Sequence, residues 1–233
     1  MNKEWSELNK SIQKNLAKSE TFERGMAQLF ELRQKLFSAL LEMRSELSGE
    51  QFCECPFMNA EGYHSKTIAY SIWHIFRIED IVAHSVIKAG EQIFFQCDYQ
   101  SRTNAPISTT GNELVKQKIA DFSRELNIEA LYNYALKVKE NTEDFLRGIS
   151  FSDLRAKPEG SREKLAGTSV SEDERAEWLL NYWFKKDVKG LIFMPFSRHW
   201  IMHVEAAARI KNKLLAKKKR DITTTFQNTI FFV

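Results

Sequence analysis

The chain has 233 residues, 43% hydrophobic and 28% charged, so it can bury a substantial core without disulfides or structural metals and reads as one domain over 1–233. No apolar run approaches the ~20 residues needed to cross a bilayer, and MNKEWSELNK carries charges where a signal peptide needs an apolar stretch. With three cysteines, an odd number, this predicts a reduced, cytoplasmic protein with no membrane partner.

The net charge of +3 is concentrated at Lys211, Lys213, Lys217, Lys218, Lys219 and Arg220. Such a run suits an anionic surface, but cations also complement the C-terminal end of a helix. No aromatic-basic interleaving or recognition-helix pattern accompanies it, so nucleic acid is not an expected partner. The 216–233 tail then turns apolar, ending ITTTFQNTIFFV. Docking on its own domain, docking on a second subunit and disorder all remain open there.

Nine glycines and four prolines leave little material for tight turns, which favours long helices. Trp5, Leu8, Ile12 and Leu16 sit at helical spacing in a short leading helix over 3–18. Thr21 can cap a long first main helix over 21–47, with Met26, Leu29, Leu32, Leu36 and Leu40 on its stripe. Residues 48–63 form a connection holding Cys53 and Cys55, a C-x-C pair with no second pair to complete a metal site. His64 reads as a surface or capping residue.

The segment 66–88 is apolar on most of its circumference, which predicts a helix buried on more than one side. His74 lies at its middle, and Arg77, Glu79 and Asp80 need partners there. His84, ten residues on and roughly 80° around the helix, is not expected near His74. A long irregular insertion follows, with Ile93–Phe95 read as extended and Asn112 as the cap of a short helix. Asn127 opens a third main helix reaching Ile149. After a loop over 150–172, Ser171 and Glu174 form a capping-box pattern for a helix to Lys186, and Met194-Pro195 opens the last main helix.

On that last helix His199 and His203 are four residues apart, about 40° in azimuth, so both rings can aim at one point. A third imidazole from His74 would complete a three-nitrogen metal site with room for water or substrate, the arrangement of catalytic rather than structural zinc. Hydrogen-bonded core histidines are the competing explanation. H-x-x-x-H also lacks the Glu that makes H-E-x-x-H specific, so spacing alone identifies no reaction.

The stretches WHIFRIEDI (73–81), TGNELVKQKIADFSRELNIEALYNYALKV (110–138) and WLLNYWFKKDVKGLIFMPFSRHWIMHVEAAARIK (178–211), in this order, resemble the DinB-type (DNA-damage-inducible) superfamily over about residues 20–215. The resemblance implies an all-α, up-down-type four-helix bundle with added short helices and a long insertion between the second and third main helices. It implies a divalent ion, nickel or zinc, on His74, His199 and His203, and a homodimer. Val204-Glu205 departs from the Arg-Gly-Gln type continuation frequent in the family, which keeps the ligands but removes support for a carried-over substrate contact.

Related proteins include S-transferases and isomerases that use low-molecular-weight thiols. The expected activity is therefore a metal-activated thiolate attacking an electrophilic small molecule, with metal-assisted hydrolysis as the nearest variant. Arg77 and Arg198 are candidate clamps for a substrate carboxylate, with local salt bridges as their alternative role. The alternative from a different class is a non-enzymatic, stress-related metal-binding or oligomeric bundle.

Overall fold

The buried stripe Met26, Leu29, Leu32, Leu36, Leu40 and Met43 recurs every three or four residues, and this periodicity places the first long helix against the core. In the computed structural model, which describes residues 2–61 and 64–230 and side chains as far as Lys218, that helix is α2, Phe22–Glu46, preceded by α1, Lys3–Asn15. Short α3, Gly49–Phe52, leads to α4, Ile68–Asp80. The insertion carries α5, Ile93–Gln96, α6, Tyr99–Thr103, and α7, Gln117–Glu125. Then come α8, Ile128–Gly148, short α9, Arg162–Leu165, α10, Glu174–Lys185, α11, Val188–Phe193, and α12, His199–Ile230. Among the described residues the fold is all-helical, with one isolated bridge between Ala166 and Val170.

α4 is the central element. Every residue from Ile68 to Asp80 is buried, between α8 on one side and α12 on the other, as its nearly continuous apolar surface requires. Thr67 caps it, its hydroxyl accepting from the Tyr70 amide at 2.9 Å. α2 packs on α1 and α12. It reaches α8 through Arg33, whose guanidinium donates to Glu143 at 3.1 Å while also holding Glu79 of α4 with two bonds of 2.7 and 2.9 Å. Lys139 and the Trp200 indole complete this buried cluster at 3.0 and 2.8 Å. The charges stay buried because each is matched.

Several boundaries differ from expectation for identifiable reasons. Ile93–Phe95 is helical because the Asp80 carboxylate accepts the amides of Ile93 and Phe94, both at 2.9 Å, and nucleates a turn. Asn112 caps no helix: its amide donates to the Arg175 carbonyl at 3.4 Å, and α7 starts at Gln117. Asp173 supplants Ser171 as the cap of α10, its carboxylate accepting from the Arg175 amide at 3.0 Å. Thr21 stands at the start of α2, but its hydroxyl donates to the Asn15 carbonyl at 2.7 Å. Asn127 caps α8 as expected, accepting from Ala130 at 3.0 Å.

Pro195 does not open the last helix; it interrupts one. Helical winding begins at Val188, capped by Asp187, and Pro195, lacking an N–H, cannot donate to Leu191 four residues back. Met194–Arg198 widens into a π turn, with the His199 amide bonded to the Met194 carbonyl and the Ser197 hydroxyl to the Ile192 carbonyl at 2.9 Å. A second π turn, Ile81–Ile87, extends α4. The apolar end after Arg220, with its docking alternatives, lies outside the described side chains.

Candidate metal centre

Two helices supply the three histidines. His74 comes from the middle of α4, and His199 and His203 from the first turns of α12, where the π turn ends and regular winding resumes. The ring centroids form a near-equilateral triangle: 5.0 Å for His74–His199, 4.7 Å for His74–His203 and 4.5 Å for His199–His203. One ligand atom from each lies within 4.8 Å of the others. An ion about 2.1 Å from each nitrogen requires nitrogen separations of about 3.6 Å or less, so the rings would close around it on binding.

The donor chemistry fits a divalent cation. All three side chains are buried, and burial drives the imidazoles neutral: His74 falls from 6.5 to about 4, and His199 and His203 lie well below the ordinary value, each further depressed by its histidine neighbours. Neutral imidazole is the form that binds metal. His74 Nδ1 donates to the Thr110 carbonyl at 2.8 Å, which fixes the tautomer and leaves Nε2 as the lone-pair nitrogen. Tyr70 stacks on the same ring at 5.4 Å, nearly parallel at 11°, and is itself held through its hydroxyl to the Gly111 carbonyl at 2.9 Å. His199 Nδ1 is buried without a hydrogen-bond partner among the described residues, an arrangement that burial of a polar ring does not otherwise favour.

The histidines form the floor of a cavity of about 490 Å³, within the range that holds small molecules. Trp178, Tyr182 and Trp183 of α10 form an aromatic wall, Met194 and Met202 an adaptable one, and Lys66 and Arg175 bring cations to the rim. None of these lining residues outside the histidines was singled out from sequence as functional. The signal was there in two spacings: Lys66, Tyr70 and His74 repeat every four residues into α4, and Trp178 and Tyr182 repeat on α10.

The two candidate carboxylate clamps are elsewhere. Arg77 is fully buried, and its guanidinium is consumed by the Ser108 carbonyl at 2.6 Å, Gln92 at 2.8 Å, Tyr134 at 3.1 Å and Asp80 at 3.2 Å. A buried cation must be saturated by its surroundings, which here tie the insertion to α4. Arg198 is exposed and does not line the cavity. His84 sits apart as expected, facing Asp80 at 2.9 Å. His64 lies half-buried ahead of α4 and outside the histidine group. Cys53 and Cys55 join no metal-ligating group among the described residues, and burial pushes both thiols up, away from the reactive thiolate.

Fold and site together define an all-helical protein whose buried three-histidine group could hold a metal ion. No helix among the described residues is long and apolar enough to cross a membrane. No protein-family model matches the chain, and no curated protein does. A solved structure described as that of the conserved protein of locus from Enterococcus faecalis is similar in fold, with a TM-score of 0.56 at 11% identity, covering 80% of this chain and 94% of that one.

Proposed function

We propose that this chain is a DinB-like four-helix-bundle protein that binds one divalent ion, nickel or zinc, through His74, His199 and His203 and uses it to activate a low-molecular-weight thiol. The observation that carries the reading is the convergence of three neutral, buried imidazoles on the floor of a cavity large enough for a reactant. Bound there, the ion would keep its full positive charge and lower the pKa of a thiol or water. The chain's own part is to hold the rings: Thr110 orients His74, Tyr70 covers it, and the π turn aims His199 and His203 at it.

Thiol transfer ranks ahead of hydrolysis because no Asp or Glu is among the described residues that line the cavity to accept a proton from water. The same composition favours a second reading, a non-enzymatic metal-binding bundle. A homodimer accompanies the resemblance and would be read by sedimentation.

Two measurements separate these readings. Elemental analysis of protein made without an affinity tag is expected to give about one divalent ion per chain, lost in a His74→Ala, His199→Ala double variant. Unchanged metal content in that variant would refute the ligand set. Metal-loaded protein incubated with glutathione, bacillithiol or mycothiol and an electrophile should form conjugate faster than a chelated control; equal rates across the panel would leave the non-enzymatic bundle.

A further inference from the structure

The cavity is charged unevenly, and this bears on what it would bind. Lys66 is half-buried at the rim, its ammonium 4.7 Å from the Tyr70 ring centroid. The salt bridges of lysines among the described residues involve other lysines, and no Asp or Glu is among the described residues that line the cavity. Lys66 lines the same cavity as the three histidines, and burial lowers its pKa. The other rim cation, Arg175, is already committed: its Nε donates to Asp173 at 2.7 Å, and a second guanidinium nitrogen binds the same carboxylate. Among the described residues, Lys66, which lies over the Tyr70 ring and has no carboxylate partner, therefore faces a mostly apolar space.

The apolar space has its own shape. Trp178 is 51% exposed, large for a tryptophan, and meets Tyr182 edge-on at 6.1 Å, while its indole N–H is spent on the Arg175 carbonyl at 2.9 Å. The indole offers the cavity carbon rather than a polar handle. Leu179 and Trp183 continue that surface inward.

We propose that the cavity binds a small carboxylate with an apolar, ring-sized body: Lys66 pairs with the carboxylate, the α10 aromatic wall takes the body, and the opposite end faces the three histidines. A single ammonium balances the one negative charge of a carboxylate, whereas a phosphate dianion would carry a second charge into a mostly apolar space with the neighbouring arginine already paired to Asp173. The inference deepens the proposed function and depends on it only for the end that faces the histidines.

The test uses 3-phenylpropanoate and its neutral isostere 3-phenylpropanamide, titrated against the full chain by intrinsic tryptophan fluorescence and by calorimetry. The carboxylate is expected to bind about tenfold more tightly than the amide, the size of one charge-assisted contact. In Lys66→Gln the two should bind alike, and Lys66→Arg should keep most of the preference; thermal melts of each variant control for folding. Equal binding of acid and amide by the parent, no binding of either at millimolar concentration, or a preference that survives Lys66→Gln would each overturn the proposal. Repeating the titrations on chelated and nickel- or zinc-loaded protein separates the two ideas. A Lys66-dependent preference in a protein that holds no metal leaves this proposal standing and removes the metal centre, and metal binding without that preference does the reverse.

Discussion

At the scale of single residues, the histidines are the acid-sensitive point of the molecule. His74 is held neutral to about pH 4, whereas in an unfolded chain it would take up a proton near 6.5. The unfolded state therefore binds more protons between these values, and metal-free protein loses stability as pH falls from about 6.5 toward 4. For His74 alone the full loss is on the order of 3 kcal/mol, and His199 and His203 act in the same direction. Urea unfolding with a chelator present, compared at pH 7 and pH 5, checks this, and stability unchanged between the two would contradict the burial of neutral rings. Arg33 gives a second test at this scale. Glu79→Ala removes its two-bond partner and leaves a fully buried guanidinium with Glu143 and the Phe196 carbonyl as its hydrogen-bond acceptors among the described residues, a loss of about 3–5 kcal/mol in equilibrium unfolding. The histidine pair was readable because four-residue spacing on a helix needs no tertiary information. The fate of Arg77 was not, since whether an arginine meets substrate or a backbone carbonyl depends on which loop folds over it, here Ser108.

At the scale of elements, the segment over 150–172 is fastened to the π turn that follows α4. Gly160 donates its amide to the Val86 carbonyl at 2.9 Å, and a Cβ at that position would stand 2.0 Å from the Ser85 carbonyl oxygen. Backbone cannot yield as a flexible side chain would, so Gly160→Ala should lower stability by about 1–3 kcal/mol, seen as a lower melting temperature. Helical periodicity revealed α2, α4 and α8 because their apolar stripes are long enough to outweigh local ambiguity. It misjudged Ile93–Phe95, Asn112 and Ser171, where a distant or neighbouring polar group decides whether a turn forms. The π turn at Met194–Arg198 has no periodic signature; Pro195 was its visible mark and was read as a helix start.

For the whole molecule, metal and folding should be linked. Ligands that are brought together only in the folded state make ion binding stabilising, by about 2.7 kcal/mol at a free concentration one hundred times Kd. In a chain of this length that corresponds to a rise of roughly 5–10 °C in melting temperature. Calorimetric scans with nickel or zinc should show the rise, chelation should reverse it, and His203→Ala should abolish it; an equal rise in the variant would place the ion elsewhere. Taken alone, the sequence determined the all-helical class, the burial of α4 and the pairing of His199 with His203, because each follows from spacing along one helix. Only tertiary structure decided that His74 meets the pair, that Lys66 and α10 enclose the space above them, and that Arg77 is turned inward. The first two depend on how α4, α10 and α12 pack across more than a hundred residues of chain and the third on the insertion folding back over α4, distances over which periodicity carries no information.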